Sequence, residues 1–196
     1  RTFLIDQALG IEISGEAAGV VPNEEWKLEK TGQSWFTGDT YNVSIGQGDL
    51  LVTPLWLSSY VSAIANGGIF YKPFLVKKVV DSNQKIVKFF ASEELARVPF
   101  DIKTMNIVKE SMREVVLSGT AQNLNSLPIK VAAKTGTAEV GAKGSGLNSV
   151  FIAYAPYENP EIAISIVIEN IGKKQGLAVL VAKQFFEKYY EDLISP

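Results

Sequence analysis

Ile129-Lys130-Val131-Ala132-Ala133-Lys134-Thr135-Gly136-Thr137-Ala138-Glu139-Val140 is the stretch on which the fold turns. Its β-branched residues and its alternation after Ala133 predict a strand over residues 129–140. Within it, Lys134-Thr135-Gly136-Thr137 has unusual chemistry for a strand. Lys134 offers a fixed positive charge. Thr135 and Thr137 offer hydroxyls that can hold a carboxylate. Gly136 removes a side chain where a ligand could lie along the strand. An exposed edge would also let an extended peptide add as one more strand. The combination predicts a site for a peptide ending in a carboxylate. A Lys-Thr-Gly match by itself arises by chance in roughly one chain in a few tens, so its surroundings have to decide.

Downstream of this strand the pattern stays β. Residues 141–148, with Gly141, Gly144 and Gly146, read as a flexible loop, and residues 150–155 as a strand apolar on both faces. A turn follows at residues 155–160. Ile162, Ile164, Ile166 and Ile168 then alternate along a third strand. A final helix from Gly176 to about Tyr190 is expected to bury Leu177, Leu180, Val181 and Phe185.

Upstream, residues 2–9 read as the end of a helix stopped by Gly10, and residues 10–49 as a long irregular segment. Residues 54–66 read as a helix capped by Thr53 and opened by Pro54. The uncharged stretch from Leu50 to Tyr71 is long enough to be tested as a membrane span. Its serines, Pro54 and Asn66-Gly67-Gly68 favour a helix buried in protein instead. Residues 74–80 and 85–90 predict a hairpin around Asp81-Ser82-Asn83-Gln84. Asp101 is expected to cap a helix to about Leu117, with Met105, Val108, Met112, Val115 and Val116 inward. The expected class is α+β, an antiparallel sheet packed against helices, with residues 1–196 forming part of one domain.

Composition removes several kinds of chemistry. The 196 residues contain no cysteine and no histidine, which excludes a Ser-His-Asp triad, a cysteine nucleophile and a typical zinc site. Neither a metal nor an organic cofactor is expected, since there is no EF-hand spacing, Walker motif or Gly-x-Gly-x-x-Gly. With 19 basic and 21 acidic residues the net charge is -2, so no global field favours nucleic acid. Glu16, Glu24 and Glu25 have no fixed separation to support paired-carboxylate chemistry. Trp26, Trp35 and Trp56 read as packing residues.

Lys-Thr-Gly is also the third signature of penicillin-binding proteins and serine β-lactamases, after Ser-x-x-Lys and Ser-x-Asn. The chain resembles class B penicillin-binding proteins along nearly its whole length. Gly15-Glu16-Ala17-Ala18-Gly19 with Pro22 is similar to their Glu-x-x-Gly-x-x-Pro segment. The run Gly38-Asp39-Thr40-Tyr41-Asn42-Val43-Ser44-Ile45-Gly46-Gln47-Gly48, with Thr53-Pro54-Leu55, resembles their stretch after the second signature. Ile64-Ala65-Asn66-Gly67-Gly68, Gly119-Thr120-Ala121, Ala153-Tyr154-Ala155-Pro156 and Asn159-Pro160 continue it. Asp39-Thr40-Tyr41-Asn42 leans towards the elongation type called penicillin-binding protein 2. Serine β-lactamases lack the run from Gly38 to Gly68.

The resemblance implies the transpeptidase fold shared with serine β-lactamases, and a D,D-transpeptidase that cross-links peptidoglycan stem peptides and is acylated by β-lactams. It implies that Lys134 supplies positive field, that Thr135, Gly136 and Thr137 bind the terminal carboxylate, and that Thr137 N–H serves as an oxyanion donor. It further implies a membrane anchor, a catalytic domain on the outer side of a bacterial cytoplasmic membrane, and glycosyltransferase and elongation or division partners.

The first two signatures are not found at usable positions. Ser82-Asn83-Gln84-Lys85 spells Ser-x-x-Lys but falls in a predicted turn, and no Ser-x-Asn occurs. Tyr157-Glu158-Asn159 resembles a variant of the second signature, again in a turn. The chain is therefore expected to be the C-terminal portion of the domain, beginning at Arg1 without Met, inactive alone and lacking the nucleophilic serine. The alternative is a non-catalytic β-lactam or muropeptide sensor of the same fold. An interaction domain with an accidental Lys-Thr-Gly is a third reading.

Overall fold

The computed structural model describes residues 2–141, 146–172 and 174–194. Its centre is a three-stranded antiparallel sheet in the order β5-β6-β7, formed by Ala132–Val140, Gly146–Ala155 and Ile162–Ile168. In the register, Thr135 faces Phe151 and Thr137 faces Ser149. Phe151 faces Ile166 across the other ladder. Strand alternation sorts the core into two layers. Ala133, Phe151, Ala153 and Ala155 pack with Ala178, Ala182 and Phe186 on one face. Ala132, Ile152 and Tyr154 pack with Val61, Ile64, Met105 and Met112 on the other. Burial of Tyr154 pushes its phenol pKa up, with a smaller push from Tyr157.

The first face is covered by helix α5 (Leu177–Ile194) and the second by α3 (Pro54–Ala65) and α4 (Ile102–Leu117). Local chemistry starts the last two as expected. Thr53 Oγ1 accepts from Trp56 N–H at 3.1 Å, and Asp101 Oδ1 accepts from Thr104 N–H at 2.7 Å. Ser165 in β7 donates to Pro54 O at 2.7 Å, which ties the opening of α3 to the sheet. Trp56 and Tyr60 stack within α3, and the Trp56 indole donates to Phe3 O.

The α5 stripe differs from the expected one. Ala178, Val179, Ala182 and Phe186 are buried, while Leu180, Val181 and Phe185 are exposed. The period is right but the phase is off by one residue. Two alanines against the sheet let the helix approach closely, with Phe186 filling the space left.

The N-terminal third needs the other corrections. Residues 2–9 form turns, not a helix. The Glu16 carboxylate accepts from the N–H groups of Leu9, Gly10 and Ile11 at 2.5, 2.8 and 3.1 Å. That local partner replaces a helical ladder. Residues 10–49 are not wholly irregular: they carry α1 (Glu24–Thr31) and α2 (Thr37–Ser44). Asn23 caps α1, and Gly32 ends it with φ 70.

Two small sheets complete the chain. β1 (Ile69–Tyr71) pairs with β4 (Glu94–Arg97), a pairing the residue pattern did not announce. β2 (Lys78–Val80) and β3 (Ile86–Phe89) form the expected hairpin as a sheet of their own. Of the expected loop at 141–148, residues 142–145 lie outside the described residues, and Gly146, Leu147 and Asn148 already belong to β6.

Lys27 and Asp39 join α1 to α2 at 2.5 Å, with side chains only 10% and 24% exposed. The Asp39 carboxyl is held below the usual aspartate value, first by its hydrogen bond from Lys27 and then by that from Phe36 N–H. A lowered folded pKa means that the unfolded chain binds the extra proton in acid. The Asp39 contribution is therefore complete above an unfolded pKa of about 3.9 and disappears as pH falls through the lower folded value. Lys27→Met is expected to flatten the acid limb of a stability–pH curve below that point. An acid limb identical to wild type would contradict this assignment.

Candidate active-site edge

Lys134, Thr135, Gly136 and Thr137 occupy the outer strand of the main sheet, with β6 on one side and, among the described residues, no strand on the other. Alternation separates their side chains. Lys134 and Gly136 belong to the α3/α4 face, Thr135 and Thr137 to the α5 face. The site is therefore the strand edge, where both faces meet.

On the α5 side a cleft of about 320 Å³ is lined by Thr120, Thr135, Thr137, Ser149, Gln175 and Gly176. Hydroxyls and an amide line it, with no ionised side chain among these. The N-terminal end of α5 also borders it, and the helix dipole favours an anion there. Ser149 is buried and accepts from Ala178 N–H at 3.4 Å. On the opposite side an apolar cleft of about 350 Å³ runs beside Lys134, lined by Tyr60, Ile64, Met112, Val115 and Ile152 among others. Lys134 is exposed, and its ammonium donates to Thr135 O at 2.6 Å.

Two residues outside the strand complete the edge. Thr120 Oγ1 lies 2.6 Å from Thr135 Oγ1. It is delivered by a fold-back at the end of α4, where Gly119 N–H reaches Glu114 O and Ala121 N–H reaches Val115 O. A Cβ at Gly119 would stand 2.8 Å from Val115 Cα, so this close return needs glycine. Gln47 is the second: its amide donates to Thr137 O at 3.1 Å and accepts from Glu139 N–H at 3.3 Å.

These bonds fix the sense of the edge. Thr137 O and Glu139 N–H point away from β6. A strand residue that does not exchange bonds with its cross-strand partner turns both backbone groups the same way. Thr137 N–H therefore also faces the open side. It lies between Thr135 O, engaged by Lys134, and Thr137 O, engaged by Gln47.

The structure brings the four expected site residues together on one edge. It leaves the sequence decoys elsewhere. Ser82 and Lys85 flank the β2–β3 turn, where Asp81 Oδ1 accepts from Asn83 and Lys85 N–H. Glu158 lies in the turn before β7 and pairs with Lys130, which lowers its pKa. Sequence reasoning did not assign roles to Thr120 and Gln47. Both stood in stretches quoted for their resemblance, but their partners are 15 and 90 residues away.

Comparison with known proteins identifies the family and the fold. Residues 1–191 match the model of the penicillin binding protein transpeptidase domain. The peptidoglycan D,D-transpeptidase MrdA of Acinetobacter baumannii is 32% identical over 95% of this chain and 30% of its own length. Penicillin-binding protein 2A of Bacillus subtilis is 37% identical over 97% of this chain and 28% of its own. The solved penicillin-binding protein PBP2 of Helicobacter pylori superposes with a TM-score of 0.79 at 29% identity, covering 97% of this chain and 34% of that one. The chain thus spans about 30% of the curated relatives it matches. Fold, site edge and relatives converge: the chain belongs to the penicillin-binding protein transpeptidase family, alongside MrdA and penicillin-binding protein 2.

Proposed function

We propose that this chain is the Lys-Thr-Gly wall of a peptidoglycan D,D-transpeptidase site and a portion of one transpeptidase domain. The observation that carries the reading is the β5 edge. It presents an outward N–H at Thr137, beside hydroxyls and within reach of a lysine charge. In the reaction, a serine oxygen attacks the carbonyl of the penultimate D-Ala of a stem peptide. The C–N bond to the last D-Ala breaks, and that residue leaves as the free amino acid. An amine of a second stem peptide then attacks the acyl-serine, forms the cross-link and releases the serine. A β-lactam takes the donor's place and stays attached.

Thr135 and Thr137 bind the terminal carboxylate, and Lys134 supplies the positive field. Gly136 leaves the edge clear for the donor. Thr137 N–H stabilises the developing oxyanion, a role worth about 3–4 kcal/mol per donor. The serine, its base lysine and the Ser-x-Asn signature are placed on residues outside this sequence. The Ser82–Lys85 pair lies in a hairpin that forms its own sheet, which supports that placement.

The same reading places the domain outside a bacterial cytoplasmic membrane, with a glycosyltransferase and elongation proteins as partners. The Helicobacter pylori relative has been solved in complex with MreC, which supports an elongation partner. Among the described residues no helix is long and apolar enough to cross a membrane.

A labelled penicillin is expected to acylate the full-length protein and to leave the isolated 196-residue chain unmodified. Labelling of the isolated chain that disappears in Ser82→Ala would overturn the placement of the nucleophile.

A further inference from the structure

The cleft on the α5 side of β5 is bordered by Thr120 on one side and by Gln175 and Gly176 on the other. Thr120 stands against Thr135. Thr137 faces Ser149 across the ladder, and Ser149 Oγ accepts from Ala178 N–H at 3.4 Å in the first turn of α5. The two residues just before that turn therefore flank the cleft beside Thr137. The sheet sets their position. Ile171 is buried, its N–H donates to Leu147 O at 2.8 Å, and Lys174 N–H donates to Ile171 O at 3.1 Å. Gly176, with φ 77, turns the chain into α5, and its carbonyl accepts from Val179 N–H at 3.1 Å. Gln175 is exposed and is the one side-chain amide among the residues lining the cleft.

We propose that Gln175 is a specificity-determining residue that reads the donor's terminal carboxylate together with Thr135 and Thr137. The inference rests on the carboxylate-binding reading of the Lys-Thr-Gly edge. A carboxylate held by the two threonines lies on the α5 face. It brings a negative charge into a cleft whose lining side chains are all uncharged. A carboxylate has about four acceptor positions, whereas each threonine hydroxyl has one proton. The Thr135 hydroxyl is also shared with Thr120. Lys134 belongs to the other face, where its ammonium donates to Thr135 O. The anion is therefore short of donors on its own side. The Gln175 amide carries two N–H donors and borders the cleft at the Thr137 side.

The consequence depends on charge. Removing the amide weakens a ligand that carries the carboxylate and spares one in which the carboxylate is masked. A glutamate in the same place adds repulsion to the lost hydrogen bond, and salt screens that repulsion.

The test compares acylation rates of the full-length protein by benzylpenicillin and by its methyl ester, which keeps the ring system and loses the negative charge. In Gln175→Ala the benzylpenicillin-to-ester ratio is expected to fall about 10-fold, the low end for a hydrogen bond to a charged group. Gln175→Glu is expected to react with benzylpenicillin more slowly than Gln175→Ala at low salt. That gap should close in about 1 M salt, where the screening length is about 3 Å. If the ester is too unreactive to measure, the order of the two variants and its salt dependence decide alone. An unchanged ratio overturns the proposal, because a turn that only braces α5 would slow both ligands alike. Equal benzylpenicillin rates for the two variants at low salt overturn it as well. Failure of the underlying reading shows separately: the unmutated protein would then react with the ester as fast as with benzylpenicillin.

Discussion

Gly136→Ala is expected to keep the fold and lose the reaction. Gly136 does not have a positive φ, so an L side chain is not strained there. A Cβ would stand 3.5 Å from Val150 Cβ and 3.8 Å from Val150 O, which are ordinary contacts. Glycine within a strand costs about 0.5–1 kcal/mol relative to alanine, so thermal stability should hold or rise slightly. The methyl group would nevertheless stand on the α3/α4 face of the exposed outer strand, beside Lys134, and would crowd a donor laid along that edge. Displacing a reacting group by about 1 Å costs on the order of 100-fold in rate. Acylation of the full-length protein by a labelled penicillin should fall on that scale, with an unchanged melting curve beside it. Acylation near the wild-type rate would show that the glycine is there for the sheet and not for a ligand.

What could be read from sequence follows from the range of the interactions involved. Thr53 and Asp101 announce helix starts because each side chain bonds an N–H three residues on. The main sheet is legible because alternation is imposed by backbone geometry. The same alternation puts Lys134 and the two threonines on opposite faces, although the motif reads as one cluster. Helices α1 and α2 were missed because they bury almost nothing along a stripe. Lys27 is the one buried residue of α1, and α2 has none. A salt bridge between residues 12 apart joins them instead. In α5 the large side chains formed a convincing stripe, but the sheet took the alanines one step away. Size and closeness of approach compete there, and the sequence does not rank them.

The site divides in the same way. Its chemistry is local to four consecutive residues, while its orientation comes from far along the chain. Thr120 arrives through the fold-back after α4, and Gln47 through the α2 segment. That segment is in turn pinned by Lys27 and Asp39. The extended resemblance around Gly46-Gln47-Gly48 therefore has a physical content: it is the part of the N-terminal third that touches the β5 edge.

Thr135→Val addresses a hydroxyl of the Lys-Thr-Gly motif that the protein itself already engages. The 2.6 Å contact between Thr135 Oγ1 and Thr120 Oγ1 uses one of two protons. A hydroxyl carries one donor and two acceptor positions. When Thr120 donates, the Thr135 proton is left for a ligand carboxylate. When Thr135 donates, the Thr120 proton is left. Valine keeps the β-branched shape that suits a strand, and Thr120 is exposed enough for water to replace its partner, so folding should change little. A hydrogen bond to a charged group is worth about 1.5–3 kcal/mol. Acylation of the full-length protein should accordingly slow by about 10- to 100-fold. Thr120→Ala and the double variant complete the test. A residue that acts only by orienting Thr135 adds no loss once Thr135 is gone, whereas additive losses would mean that Thr120 touches the ligand directly. Unchanged kinetics in Thr135→Val would remove this hydroxyl from carboxylate binding and leave that task to Thr137 and Lys134.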